Sequence, residues 1–204
     1  MKKRNKLIIK PTIMNPYYDK PNWFESEVDI DQFVFIDRHS LSNDVKQFII
    51  LLFGYNDIEL GNCFEASVNN FLELQKDELA MSGGPTFIYN EVQILPSCCC
   101  GLEDLEDVAT CIKHKKSPWL GHDPYPCIEY SKRNKIKIWS DDYKENKDAF
   151  YISCTYTELL VALHEMKRDL ISFIEGPCFD YLARFNLKYA NNMINHLKKL
   201  LIYV

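Results

Sequence analysis

The sequence has no apolar run long enough to cross a membrane. Its longest apolar segment, residues 48–53, has the length of a core element in a globular protein. Basic residues open the chain as they do in a signal peptide, but the apolar stretch that follows, residues 7–9, stops at Lys10 and Pro11. That stretch is far shorter than a secretory signal requires. We therefore expect a cytoplasmic protein without a membrane partner.

The sequence also has no excess of positive charge. It contains 24 Lys and Arg against 29 Asp and Glu, which gives a formal net charge of −5. Proteins that bind nucleic acid normally need a basic face, because neutralising phosphates supplies most of the affinity. We therefore expect no nucleic-acid partner, and an acidic protein of this kind suits a basic partner instead.

Familiar catalytic motifs are absent as well. There is no G-x-S-x-G elbow, phosphate-binding loop, dinucleotide fingerprint or kinase signature. The pair His164-Glu165 lacks the second histidine of a zinc-protease helix. The sequence thus gives no catalytic residue and no cofactor, and it favours a non-enzyme, although a site outside these motif classes stays open.

Eight cysteines are present, and three of them are consecutive: Cys98, Cys99 and Cys100. Disulfide frameworks belong mainly to short secreted domains, and a disulfide between adjacent cysteines strains the ring that it closes. In a chain without a signal peptide we expect free thiols. The other five are scattered, at Cys63, Cys111, Cys127, Cys154 and Cys178.

The region 98–127 is rich in soft metal ligands, namely Cys98, Cys99, Cys100, Cys111, His114, His122 and Cys127. Zinc takes four such ligands in a tetrahedron, commonly from pairs separated by two to four residues. Cys111 and His114 have that spacing, whereas Cys98 and Cys100 are too close together for it. A zinc protein is therefore the alternative interpretation, and the spacing assigns no metal ligand.

The favoured interpretation of the cysteine triplet is packing. The triplet falls between an expected strand, residues 92–95, and an expected helix after Gly101. A helix N-terminus would stabilise a thiolate there, but the acids that follow, Glu103 and Asp104 first, oppose it. We therefore expect the triplet to fill space at a bend, where only some of the three side chains can face the core, and we expect all three thiols to react slowly.

The segment 117–126, SPWLGHDPYP, contains three prolines and a glycine, which prevent regular structure. Its side chains Trp119, His122, Asp123 and Tyr125 make it a candidate interaction loop, since loops of this kind often carry contacts. One alternative stays open, a rigid loop whose Trp119 plugs the core. Adjacent side chains such as His122 and Asp123 generally diverge, so we expect no dyad from this pair.

The patterns predict a single α+β domain over residues 1–204, with a mostly antiparallel sheet built from hairpins. We expect an opening strand at 6–13, one hairpin from 86–89 and 92–95, and another from 127–130 and 135–139. In the second hairpin, alternation should place Ile136 and Ile138 in the core and their lysine neighbours in water. Residues 42–44 could cap a short helix or precede a buried strand at 48–53; length favours the strand, and periodicity cannot decide.

Helices are expected to pack on this sheet. Asn62 should cap an amphipathic helix that ends near Glu78. The sequence Thr155-Tyr-Thr-Glu158 has the form of a capping box and should open the first helix of a C-terminal pair. Gly176-Pro177 should separate the two members of that pair.

A longer segment of the chain, residues 83–142, carries the run ILPSCCCGLEDLEDV, then SPWLGHDPYPCIEY, then IKIWSDD. It resembles small bacterial proteins of unknown function that share this order of features. The resemblance implies no activity and no site residues. By analogy with stand-alone acidic α+β bacterial proteins, we expect a protein-interaction module of immunity type, with a basic, toxin-like protein as its partner.

Overall fold

The computed structural model of the chain describes residues 6–131 and 134–202. It is an α+β fold, as the sequence predicts, and its strands form two antiparallel sheets instead of one. Its strands are β1 (Ile8–Met14), β2 (Phe33–Phe35), β3 (Gly83–Tyr89), β4 (Val92–Ile94), β5 (Cys127–Tyr130), β6 (Lys135–Trp139) and β7 (Tyr151–Thr155). Its helices are α1 (Ser42–Tyr55), α2 (Phe64–Leu72), α3 (Leu105–Lys113), α4 (Tyr156–Phe173), a π-helical turn (Ile174–Cys178), α5 (Phe179–Ala183) and α6 (Leu187–Leu201).

The chain divides into two compact units. The first takes the chain up to Thr12 together with Gly83–Arg168, and the second takes Ile13–Ser82 together with the chain from Asp169 onward. That the whole chain is one domain stays a prediction. In none of the described ranges does a helix have both the length and the apolar character that crossing a membrane requires.

Two sheets organise the strands. One has the order β2-β1-β3-β4 and the other the order β5-β6-β7. In the first sheet, β3 and β4 form the expected hairpin, in which Tyr89 pairs with Val92. The turn between them is tight because Asn90 adopts a left-handed backbone conformation with φ of 56°.

The second expected hairpin is also confirmed. In the first unit, β5 and β6 pair so that Ile138 lies opposite Ile128. Ile136 and Ile138 are buried, whereas Lys135 is exposed and Lys137 is half-buried. Strand β7, which was not predicted, pairs with the other edge of β6 and places Ile152 opposite Ile138.

Residues 48–53, where a strand was favoured, are helical and belong to α1 in the second unit. Nine consecutive residues of this helix, 45–53, are buried. A helix that is surrounded by core loses its polar face and therefore its helical periodicity, so its sequence looks like a buried strand. Phe48 makes an edge-on contact with Phe173, with ring centroids 5.0 Å apart.

Helix α2 is shorter than the sequence suggested. Cys63, not Asn62, occupies the N-cap position, and the helix ends at Leu72 instead of near Glu78. The residues after it form a turn in which the Glu78 carboxylate accepts a hydrogen bond from the backbone N–H of Gln75 at 2.9 Å.

The C-terminal helices confirm the predicted capping box, but the break between the two helices is not at Gly176-Pro177. Glu158 accepts from the N–H of Thr155 at 2.8 Å, and Thr155 Oγ1 accepts from the N–H of Glu158 at 3.2 Å. Pro177 does not separate the two helices, because it lies inside the π-helical turn, whose wider winding accommodates a residue without an N–H. The break comes at Asn186, whose side chain caps α6.

Candidate binding site at the cysteine turn and the aromatic loop

The cysteine triplet lies on a tight turn in the first unit, residues 97–100, which we call the cysteine turn. Cys99 has a left-handed backbone φ of 62°, which is uncommon for a residue other than glycine. This conformation reverses the chain, so that the N–H of Cys100 donates to the carbonyl oxygen of Ser97 at 3.2 Å. Cys98 and Cys99 are exposed at the turn, and Cys100 is buried.

Cys100 is the member of the triplet that packs in the core, whereas Cys98 and Cys99 face outward. Burial, with the nearby Asp104 and Glu103 carboxylates, raises the pKa of the Cys100 thiol to about 12. The Sγ atoms of Cys98 and Cys99 lie 3.4 Å apart in the open. Their mutual hydrogen bond raises the pKa of the Cys98 thiol. All eight cysteines of the chain carry free thiols.

The segment 117–126, which we call the aromatic loop, is fastened to the cysteine turn. The N–H of His122 donates to the carbonyl oxygen of Cys98 at 3.0 Å, within an isolated antiparallel bridge between these two residues. The Ser97 hydroxyl lies 2.6 Å from the carbonyl oxygens of both His122 and Pro124 and can donate to either. The turn and the loop thus form one continuous piece of structure.

Two aromatic side chains stand out from this loop. Trp119 is 51% exposed and Tyr125 is 48% exposed. Their rings contact each other edge-on, with centroids 5.8 Å apart. The Trp119 indole N–H donates to the carbonyl oxygen of Cys99 at 3.2 Å. The alternative in which Trp119 plugs the core is therefore wrong, and the neighbouring Leu120 is buried instead.

His122 lies beside this aromatic pair. Its ring centroid is 6.1 Å from that of Trp119 and 6.0 Å from that of Tyr125. Contrary to expectation, its side chain does not diverge from Asp123, because His122 Nδ1 lies 3.3 Å from Asp123 Oδ2. The Asp123 side chain is itself 88% exposed, which leaves its negative charge at the surface.

A groove of about 330 Å³ adjoins this loop directly. The adjoining groove is lined in part by Trp119, Tyr125, Pro126, Tyr143 and Lys144. At its edge the N–H of Tyr125 donates to Asp141 Oδ1 at 2.7 Å. Hydrogen bonds from the Asn146 side chain and from this N–H hold the pKa of Asp141 below its ordinary value.

Three of the seven soft ligands in region 98–127 come together. One ligand atom each from Cys98, Cys99 and His122 all lie within 4.8 Å of one another, and the described ranges hold no other such group of three. Cys111 and His114, which have the spacing of a zinc-ligand pair, are not in this group, and His114 Nδ1 contacts the Thr110 carbonyl oxygen at 2.8 Å. Cys127 Sγ lies 3.9 Å from the Asp141 carbonyl oxygen.

His122, Cys98 and Cys99 are all among the predicted soft ligands, but their sequence positions do not show that they lie together. The only local signal was Gly121, because the close approach of backbones at a bridge often needs a glycine. Comparison with known proteins identifies no family for this chain: no protein-family model, no curated protein and no solved structure matches it. The bacterial resemblance over residues 83–142 therefore stays a prediction.

Proposed function

We propose that this protein is a protein-interaction module and that the aromatic loop is its contact surface. The observation that carries the proposal is the half-exposure of Trp119 and Tyr125 side by side. Tryptophan and tyrosine dominate the binding energy of many protein interfaces, because each buries a large apolar surface and still offers a hydrogen bond. The proposal assigns the protein no catalysis.

The attachment of the loop supports this function. Trp119 donates to the Cys99 carbonyl, His122 bridges to Cys98, and Ser97 reaches back to the loop carbonyls. A loop that is held in place before binding loses less conformational freedom when a partner docks. The aromatic pair is therefore pre-arranged for contact, and the adjoining groove offers room for a partner side chain.

Charge supports a basic partner. The chain carries a net charge of −5, and the Asp123 carboxylate lies exposed within the loop itself. Complementary charge accelerates association and excludes partners of like charge. We propose a basic protein of toxin type as the partner, in which case this chain is the acidic, immunity-type member of the pair.

The test is a capture experiment with three immobilised proteins from native lysate. They are the wild type, the double variant Trp119→Ala/Tyr125→Ala, and Tyr17→Ala, which removes another exposed aromatic side chain, in the second unit. We expect a partner that the wild type and Tyr17→Ala retain and the double variant loses. That partner, purified, should bind less tightly as salt rises. The product of the adjoining gene is the first protein to test in purified form.

Two results would count against the proposal. If the double variant retains the same proteins as the wild type, the aromatic loop is not the contact surface. If the purified partner binds with an affinity that salt does not change, charge complementarity with a basic partner is wrong.

A further inference from the structure

We infer that Cys98, Cys99 and His122 form a zinc site that takes three ligands from the protein and a fourth from water. This inference does not depend on the proposed function. It rests on the identity, separation and attachment of the three side chains. Two thiol sulfurs and an imidazole nitrogen are the ligand types that zinc prefers, whereas magnesium and calcium take oxygen.

The separations suit a tetrahedral zinc ion. Zinc–sulfur bonds of about 2.3 Å and zinc–nitrogen bonds of about 2.0 Å place two sulfurs roughly 3.8 Å apart, and a sulfur and a nitrogen roughly 3.5 Å apart. The sulfurs of Cys98 and Cys99 are 3.4 Å apart, and the His122 ligand atom lies with them inside 4.8 Å. Small rotations of exposed side chains would bring the three ligands to zinc-binding distances.

Neighbouring cysteines do not usually point their sulfurs to one side, because side chains alternate along an extended chain. Here the left-handed conformation of Cys99 turns the two sulfurs toward each other. A residue other than glycine in this conformation carries backbone strain, and such strain often accompanies functional sites. The fold therefore already holds the two thiols close together before any metal binds.

The third ligand is also held in place. His122 is fastened to Cys98 by the backbone hydrogen bond of the bridge, and Asp123 Oδ2 lies 3.3 Å from His122 Nδ1. Metal-binding histidines commonly donate one ring N–H to a carboxylate, which orients the ring and leaves the other nitrogen free for the metal. Donation of an Nδ1–H to Asp123 would leave the Nε2 lone pair for zinc.

The exposure of the site determines its type. Cys98 and Cys99 are exposed, and the His122 side chain is 34% exposed. Closed structural zinc sites have four protein ligands, whereas sites with three keep a position open to water or to another molecule. We assign the Cys98–Cys99–His122 site to the second type.

The experiment uses the full chain, reduced and stripped of metal, in competition with a coloured zinc chelator. We expect one zinc ion to bind per chain, and native mass spectrometry should show the added mass of zinc less two protons. Cys98→Ser, Cys99→Ser and His122→Gln should each weaken binding by more than about 100-fold, the upper range for loss of an outer-shell partner. Cys63→Ser, which removes an exposed thiol elsewhere, should bind like the wild type.

Cobalt(II) provides a second test that needs no variant. Bound by two thiolates, it should give a sulfur-to-metal charge-transfer band together with the visible bands of tetrahedral coordination. The inference is overturned if the reduced wild type loses zinc completely to the chelator. It is equally overturned if the three ligand variants bind zinc as the wild type does, or if bound cobalt shows no charge-transfer band.

Discussion

Gly121 lies directly against the carbonyl oxygen of Cys98. A Cβ atom on residue 121 would stand 2.5 Å from that oxygen, which is closer than real Cβ atoms approach. The φ of Gly121 is 97°, in the region that glycine adopts without strain and other residues avoid. The cysteine turn and the aromatic loop can therefore approach each other this closely only because residue 121 is a glycine.

The first prediction concerns this contact. Gly121→Ala should lower the free energy of unfolding by about 1–3 kcal/mol, because the new methyl group meets backbone atoms that cannot rotate away. Urea unfolding measures the change. Gly176→Ala is the matched control, since a Cβ there meets nothing within 4 Å, and it should be neutral or slightly stabilising. Equal stability of Gly121→Ala and the wild type would show that the loop is not held as described.

The second prediction compares neighbouring residues of β6. Ile138 is fully buried between Ile128 and Ile152, so Ile138→Ala should cost about 2–5 kcal/mol of unfolding free energy. The Lys137 side chain is 40% exposed, and its ammonium contacts Glu129 at 3.4 Å and lies over the Trp139 and Tyr151 rings at 5.1 and 4.9 Å. Lys137→Ala should therefore cost less than about 1 kcal/mol. Similar costs at the two positions would mean that the register of the strand is wrong.

The third prediction concerns the pH dependence of the capping box. Hydrogen bonds from the backbone N–H and the hydroxyl of Thr155 lower the pKa of Glu158 in the folded protein. A lowered pKa stabilises the fold above the unfolded pKa, and that stability is lost as pH falls through the folded pKa. Glu158→Ala should therefore cost about 1 kcal/mol near neutral pH and progressively less below about pH 4.

The control for this prediction is a double-mutant cycle. Thr155→Ala removes the hydroxyl that both donates to the Glu158 carboxylate and accepts from the Glu158 N–H. If the two side chains act as one cap, the double variant should cost less than the sum of the two single variants. Additive costs, or a Glu158→Ala effect that does not change with pH, would contradict the assignment.

The parts of the fold that could be predicted from sequence are those whose pattern is local. Ile136 and Ile138 alternate with lysines, and the capping box is a four-residue pattern, so both were recognisable. Strand β7 carries the same kind of alternation, with Ile152 and Cys154 buried between exposed neighbours, and could have been found on that basis. Helix α1 could not, because full burial removes the polar face that reveals helical periodicity.

The sequence identifies residues of the candidate site but not how they are arranged. The loop residues Trp119, His122 and Tyr125 were recognisable because prolines and a glycine surround them. Which cysteines point outward depends on the left-handed backbone of Cys99, and nothing in three identical neighbouring residues indicates which one turns. That His122 meets Cys98 depends on a bridge between distant segments, which a single sequence does not encode locally.

The fourth prediction concerns the exposed cysteines. It gives the most direct measurement of the central claim, that the cysteine turn and the aromatic loop together form one binding site. Alkylation rates of individual thiols in the native, reduced protein can be followed by mass spectrometry of peptides, with and without zinc. Cys99 and Cys63 are exposed and should label readily, and exposed Cys98 should label more slowly because its pKa is raised. Cys100 is buried with a pKa raised to about 12 and should label the most slowly of the four. Zinc should protect Cys98 and Cys99 together and leave Cys63 unchanged. Slow labelling of all three triplet cysteines, or zinc protection that fails to distinguish Cys98 and Cys99 from Cys63, would contradict the account.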